Sequence, residues 1–243
     1  VASDTYSMEY TMTSSDIGPI AFTLLVTDTA NNASPIYTAV TSGTAVIFDK
    51  TNPTVSTVQA SSTTGKYTDD DLTPSNSDVV EILVNFTEAV QVDTAGGTPT
   101  LELETGDTDY TAEYVSTSSN TLLFQYRIDE GILTSPLDYT GTNALLLNGG
   151  TITDLSGNNA SLALAPTGTA SSLSGGNIIS IDSKDPVLIS PQATTDNASN
   201  TAYGKEGNIV TFRIQADEEL NPASISLTAP GLSGAITSFS ETT

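Results

Sequence analysis

The chain has 243 residues and a formal charge of −23, from 29 Asp and Glu against 6 Lys and Arg, with no Cys, His or Trp. Phosphate and anionic lipid surfaces need clustered cations, so this composition argues against nucleic acid and membrane partners. It also removes disulfides, thiolate metal sites, the commonest general base and the usual transition-metal ligand. Divalent cations bound by oxygen are the natural complement of such a chain, although the same carboxylates can serve only to keep a long fibre soluble. No apolar run approaches the ~20 residues that span a bilayer. No signal peptide opens the sequence, which predicts an internal piece of a longer mature protein. Abundant Thr, Ser, Val and Asn point to strands and turns, an all-β chain.

In chain order, Tyr6-Ser7-Met8-Glu9-Tyr10-Thr11-Met12 alternates as a strand does, and an apolar strand then runs into the Asx-rich turn Thr27 to Ser34. The linker Phe48-Asp49-Lys50-Thr51-Asn52-Pro53 follows, where Pro53 fixes φ before the next strand. Strands are predicted near 54–60, 79–86, 99–104, 109–116, 121–128, 144–153 and 177–182. Turn signals separate them at Gly96-Gly97, Gly106-Asp107, Ser118-Ser119-Asn120, Gly149-Gly150 and Gly157-Asn158. The run Asp69-Asp70-Asp71 falls in the first hairpin loop and is read as solvated.

Internal repeats organise the chain. The linker recurs as Ile181-Asp182-Ser183-Lys184-Asp185-Pro186, with Asp and Pro at the same spacing. The segment Asp78 to Glu88 aligns with Asn208 to Glu218, each a period-two strand ending in Glu. Thr27 to Ser34 resembles Thr153 to Ser161. These matches predict residues 1–50 as the back half of one module, 51–185 as a complete module and 186–243 as the front half of another. The two halves look complementary: joined tail to head they make about 108 residues, the size of a seven-stranded sandwich. A cut fragment, a 243-residue repeating unit, or subunits that complete one another's sandwich all fit that pattern.

The run Val84 to Val90, then Thr98-Pro99-Thr100-Leu101-Glu102-Leu103-Glu104-Thr105-Gly106, resembles the bacterial immunoglobulin-like repeats of giant surface adhesins. So do Leu137-Asp138-Tyr139-Thr140 and Ala144 to Asp154, while the flanking halves are similar to a sister class of the same fold. The resemblance implies tandem Ig-like (cadherin-like) Greek-key β-sandwich domains in a linear array, at the bacterial cell surface. It also implies Ca²⁺ at the domain junctions and a role as a stalk.

A sandwich topology sends particular acids to each junction. Glu88 at its strand end and the loop Asp154 to Asn158 should meet the linker carrying Asp49 and Asn52. The second linker offers Asp182 and Asp185, with Asp217 and Glu218 at the strand end, and the matching loop would be Asp28 to Asn31. Carboxylates, amide oxygens and carbonyls gathered together are what a hard cation needs for its six to eight oxygens, while Asp and Asn at such places also make Asx turns with no metal. Glu102, Glu104, Asp109 and Glu113 offer paired carboxylates of the kind glycoside hydrolysis uses. Same-face acids on an edge sheet are usually its solvated side, and no aromatic platform accompanies them, so no enzyme is expected.

Four matches to the glycosylation pattern begin at Asn32, Asn85, Asn159 and Asn197. The expected function is an extracellular stalk or filament module stiffened by Ca²⁺, partnered by neighbouring repeats or identical subunits, with any host or surface ligand held by other domains. The alternatives are a self-assembling fibre or sheath subunit with inter-subunit domain completion, and a ligand-binding adhesin domain.

Overall fold

Strict alternation along residues 79–86 places Val80, Ile82, Val84 and Phe86 on one face, and burial of that face organises the largest sheet. A computed structural model of the chain describes residues 5–68, 79–221 and 225–228, and the predicted loop run Asp69 to Asp71 lies outside them. The chain divides into two compact units, 1–183 and 184–243. Both are built of strands, almost all antiparallel, with no α-helix among the described residues.

In the first unit, β1 (Gly18–Pro19) pairs with β2 (Ile47–Phe48). Then come β3 (Val55–Ala60), β4 (Gly65–Tyr67), β5 (Val79–Phe86), β6 (Val90–Asp93), β7 (Thr100–Glu104), β8 (Tyr110–Ser118) and β9 (Thr121–Arg127). The short strands β10 (Leu133–Thr134), β11 (Asp138–Tyr139), β12 (Leu145–Leu146), β13 (Thr151–Asp154) and β14 (Ile179–Asp182) complete it. The main sheet runs β11-β7-β8-β9-β5-β3, with β12 also on β7. Two small sheets, β13-β6 and β10-β14-β4, carry the rest.

One core joins the inner face of the main sheet to Val90, Ile152, Leu164, Leu173, Ile179 and Ile181. Removing a side chain such as Ile82 or Phe86 from water contributes roughly 2 kcal/mol each. Cross-strand partners Tyr114 and Phe124 meet edge to face, with ring centroids 6.0 Å apart. The second unit contains β15 (Gln192–Thr195) and β16 (Val210–Arg213), an antiparallel pair.

The strands predicted over 54–60, 79–86, 99–104, 109–116 and 121–128 form within a residue or two of those bounds. The predicted strand 144–153 is interrupted, because Asn148 and Gly149 take positive φ of 53° and 94°. A Cβ at Gly149 would lie 2.6 Å from the Gly96 carbonyl oxygen, so the two glycine turns read from sequence pack backbone to backbone.

A buried carboxylate ties β11 to the segment before β14. Asp138 Oδ2 accepts hydrogen bonds from Gly168 N–H, Ser172 Oγ and Ser174 Oγ at 3.0, 3.1 and 2.6 Å. Its Oδ1 accepts from Tyr139 N–H. Replacing Asp138→Ala removes the acceptor of the Gly168 N–H and the Ser174 hydroxyl, while the Ser172 hydroxyl keeps the Thr169 carbonyl. The loss should cost roughly 3 kcal/mol, read as a lower urea midpoint at unchanged slope. A loss below the error of that measurement would contradict this role.

Candidate functional site

Three distant parts of the first unit bring acids together at one end of the sheet. Asp49 follows β2 in the linker, Glu88 follows the last residue of β5, and Asp154 ends β13. One carboxylate oxygen from each lies within 4.8 Å of the other two. No cation pairs with the three among the described residues. Each pair of like charges at such a separation repels by on the order of 1 to 4 kcal/mol, the lower figure holding where water screens fully.

Asp154 is buried and held by its own turn. Its Oδ1 accepts the Ser156 and Asn158 N–H groups, both at 2.8 Å, and its Oδ2 accepts the Asn158 amide at 2.7 Å. The same amide nitrogen donates to the Asp49 carbonyl at 3.1 Å, which clamps the loop to the linker. Asn158 therefore positions Asp154 and Asp49, whatever its amide oxygen does. Burial pushes the Asp154 carboxyl upward, but the Asn158 amide and the Asn158, Ser156 and Gly157 N–H groups together outweigh it and leave the carboxyl below its ordinary range. Glu88 moves the other way: burial first, then Asp49 and Asp154, raise its carboxyl above the usual value. Asn52 lies exposed in the linker, where Asp49 Oδ1 accepts the Thr51 N–H at 2.9 Å.

The acids predicted for the second linker have different company. Within the first unit, Asp182 pairs with Lys66 at 2.5 Å. Within the second unit, Asp217 pairs with Lys184 at 2.8 Å and accepts the Val187 N–H. The Lys184 hydrogen bond leads in holding the Asp217 carboxyl low. Asp185 is exposed, and Glu218 carries a solvent-excluded oxygen, Oε1, that has no hydrogen-bond partner.

The loop Asp28 to Asn32 repeats the Asp154 turn bond for bond. Asp28 Oδ1 accepts the Ala30 and Asn32 N–H groups at 2.9 and 2.8 Å, and Oδ2 accepts the Asn32 amide at 2.8 Å. Asn31 occupies the turn position with positive φ, 66°, where the other loop has Gly157 at 91°. Asn32 is thus the counterpart of Asn158, a role that sequence matching alone did not separate from that of Asn31.

Glu102 and Glu104 lie on β7 with their side chains away from the core, and Glu113 lines an open groove of about 700 Å³ with Thr111, Gln125 and Arg127. Asn85 is the next-to-last residue of β5, its side-chain amide N–H donating to Thr57 Oγ1 and its side-chain carbonyl accepting from the Thr121 hydroxyl. No protein-family model, curated protein or solved structure matches the chain.

A group whose folded pKa is lowered adds stability above its unfolded pKa, and that stability is lost as the pH falls through the folded value. For Asp154 the loss therefore begins below about pH 4. In EGTA, Asp154→Asn should cost about 1 to 2 kcal/mol at neutral pH, a deficit that shrinks toward zero in stronger acid. Urea unfolding at both pH values checks this, and an equal deficit at both would contradict it.

Proposed function

We propose that the chain is a structural stalk or filament segment of a repetitive bacterial surface protein of the adhesin type. In this reading its strands build tandem Ig-like, Greek-key sandwiches, and Ca²⁺ stiffens the link between residues 5–48 and the sandwich that follows. The observation that carries the proposal is the convergence of Asp49, Glu88 and Asp154 within 4.8 Å, from linker, strand end and loop. The donor set fits a hard cation, since every candidate ligand is oxygen and the chain has no His or Cys. A bound Ca²⁺ would supply the positive charge that turns mutual repulsion into attraction.

The chain's own residues do the remaining work. Asn158 ties the Asp154 loop to the linker backbone. Asp154 already presents an ionised carboxylate, because its turn holds the proton off. Glu88, whose carboxyl is raised, gives up its proton more reluctantly, so cation capture should release protons when measured near the glutamate pKa. With the acids neutralised, the linker and strand end are held at one angle, which suits a rod under tension. The acids of the second linker already have cationic partners, Asp182 with Lys66 and Asp217 with Lys184, each within its own unit.

The decisive experiment follows melting temperature with Ca²⁺ and with EGTA. Free Ca²⁺ about a hundredfold above Kd should raise the melting temperature by about 5 to 10 °C. The double replacement Asp49→Ala and Glu88→Ala should abolish that rise. An identical transition with and without Ca²⁺ in the wild-type chain would remove the metal from the account.

A further inference from the structure

The second unit copies the first hairpin of the sandwich without its covering. Ala60 pairs with Ile82 and Gln59 with Leu83 where β3 meets β5. Ala193 pairs with Phe212 and Gln192 with Arg213 where β15 meets β16, the same residues of the repeat in the same register. The bridge Val55 to Phe86 recurs as Leu188 to Ala216. The hydrogen bond from Thr87 N–H to the Thr54 carbonyl recurs from Asp217 N–H to the Val187 carbonyl.

Burial separates the two hairpins. Val80, Ile82 and Val84 are fully buried, whereas their counterparts Val210, Phe212 and Ile214 are 44%, 44% and 38% exposed. In the sandwich, β9 adds to the free edge of β5, and Ile152 with its neighbours covers the face. β16 has only β15 beside it among the described residues.

The missing pieces exist elsewhere in the chain, themselves uncovered. Residues 7–12 alternate like β9 but join no strand, and Met8, Tyr10 and Met12 are 77%, 66% and 38% exposed. Thr27 bridges Ala33 as Thr153 bridges Asn159, and the Ser34 N–H bonds the Val26 carbonyl as the Ala160 N–H bonds that of Ile152. Yet Val26 is 53% exposed and Ile152 is 2% exposed. The second unit holds a front half and residues 5–48 a back half of one pattern, and the intact copy between them shows how such halves close.

We infer that the apolar face and open edge of β16 bind residues 5–48 of a second copy of this chain, head to tail. The inference rests on the sandwich reading above and not on its metal. Met8, Tyr10 and Met12 of the incoming copy extend the sheet at β16, as an added strand does at any open edge, and its Val26 segment covers Phe212 and Ile214. Its Asp28 loop then arrives near Glu218, as the Asp154 loop arrives near Glu88, and offers donors to the unpartnered Glu218 oxygen. Because the two patches differ, the contact is heterologous and builds a head-to-tail filament wherever its rotation does not close a ring.

Sedimentation velocity of the full chain in EGTA, over a dilution series, tests this independently of Ca²⁺. The expected result is a ladder of species larger than one chain that dissociates on dilution. Phe212→Asp should abolish the ladder, and so should Met8→Asp combined with Tyr10→Asp, while the unfolding transition of the intact sandwich stays in place. Mixing the two variants should restore a one-to-one dimer and nothing larger, since each retains one working end. A wild-type chain sedimenting as a single copy throughout, or a ladder unchanged by Phe212→Asp, would overturn the inference.

Discussion

Folding of the first unit brings three acidic side chains from linker, strand end and loop into one corner. Asp154 is anchored by three hydrogen bonds to its carboxylate within its turn and Asp49 by the clamp through Asn158. Glu88 lies two residues beyond Phe86, itself fixed in the core. The apolar face of β5 and Ile152 on β13 therefore position the carboxylates, and the energy of that core sustains the repulsion at its end. The upward displacement of Glu88 is the electrostatic trace of the same constraint. Relief comes from a proton or from a cation.

The two copies of the repeat show which parts of the design are local. The turn at Asp28 and the turn at Asp154 form the same set of hydrogen bonds, one exposed and the other buried. The β3–β5 and β15–β16 hairpins share a register although one is covered and the other is not. Turn chemistry and alternation are sufficient for these shapes. Burial is not needed to set them, since Phe212 keeps the pairing of Ile82 while 44% exposed.

Much of this was legible from the residues themselves. Period-two stretches such as 79–86 and 121–127 announce strands because each has one face buried. Glu88 was found because a charge stops an apolar alternation, and Asp154 because Asx residues crowd its turn. Strands β4, β6, β10 and β11 escaped, being two to four residues long and held by tertiary pairing rather than by pattern. Asp138 was missed although its signal is visible: an acid set between Leu137 and Tyr139, both buried, needs donors from elsewhere. The lysine partners of Asp182 and Asp217 depend on contacts between distant segments, which charge counting does not locate.

The most direct test is the melting temperature of Glu88→Gln against the wild-type chain, in EGTA and again in saturating Ca²⁺. Crowding alone makes the ionised glutamate unfavourable, so at neutral pH the amide variant should melt above the wild type in EGTA. With Ca²⁺ the order should reverse, because the wild-type carboxylate becomes a ligand. A variant that stands on the same side of the wild type in both solutions would contradict the claim that this corner is built to capture a cation.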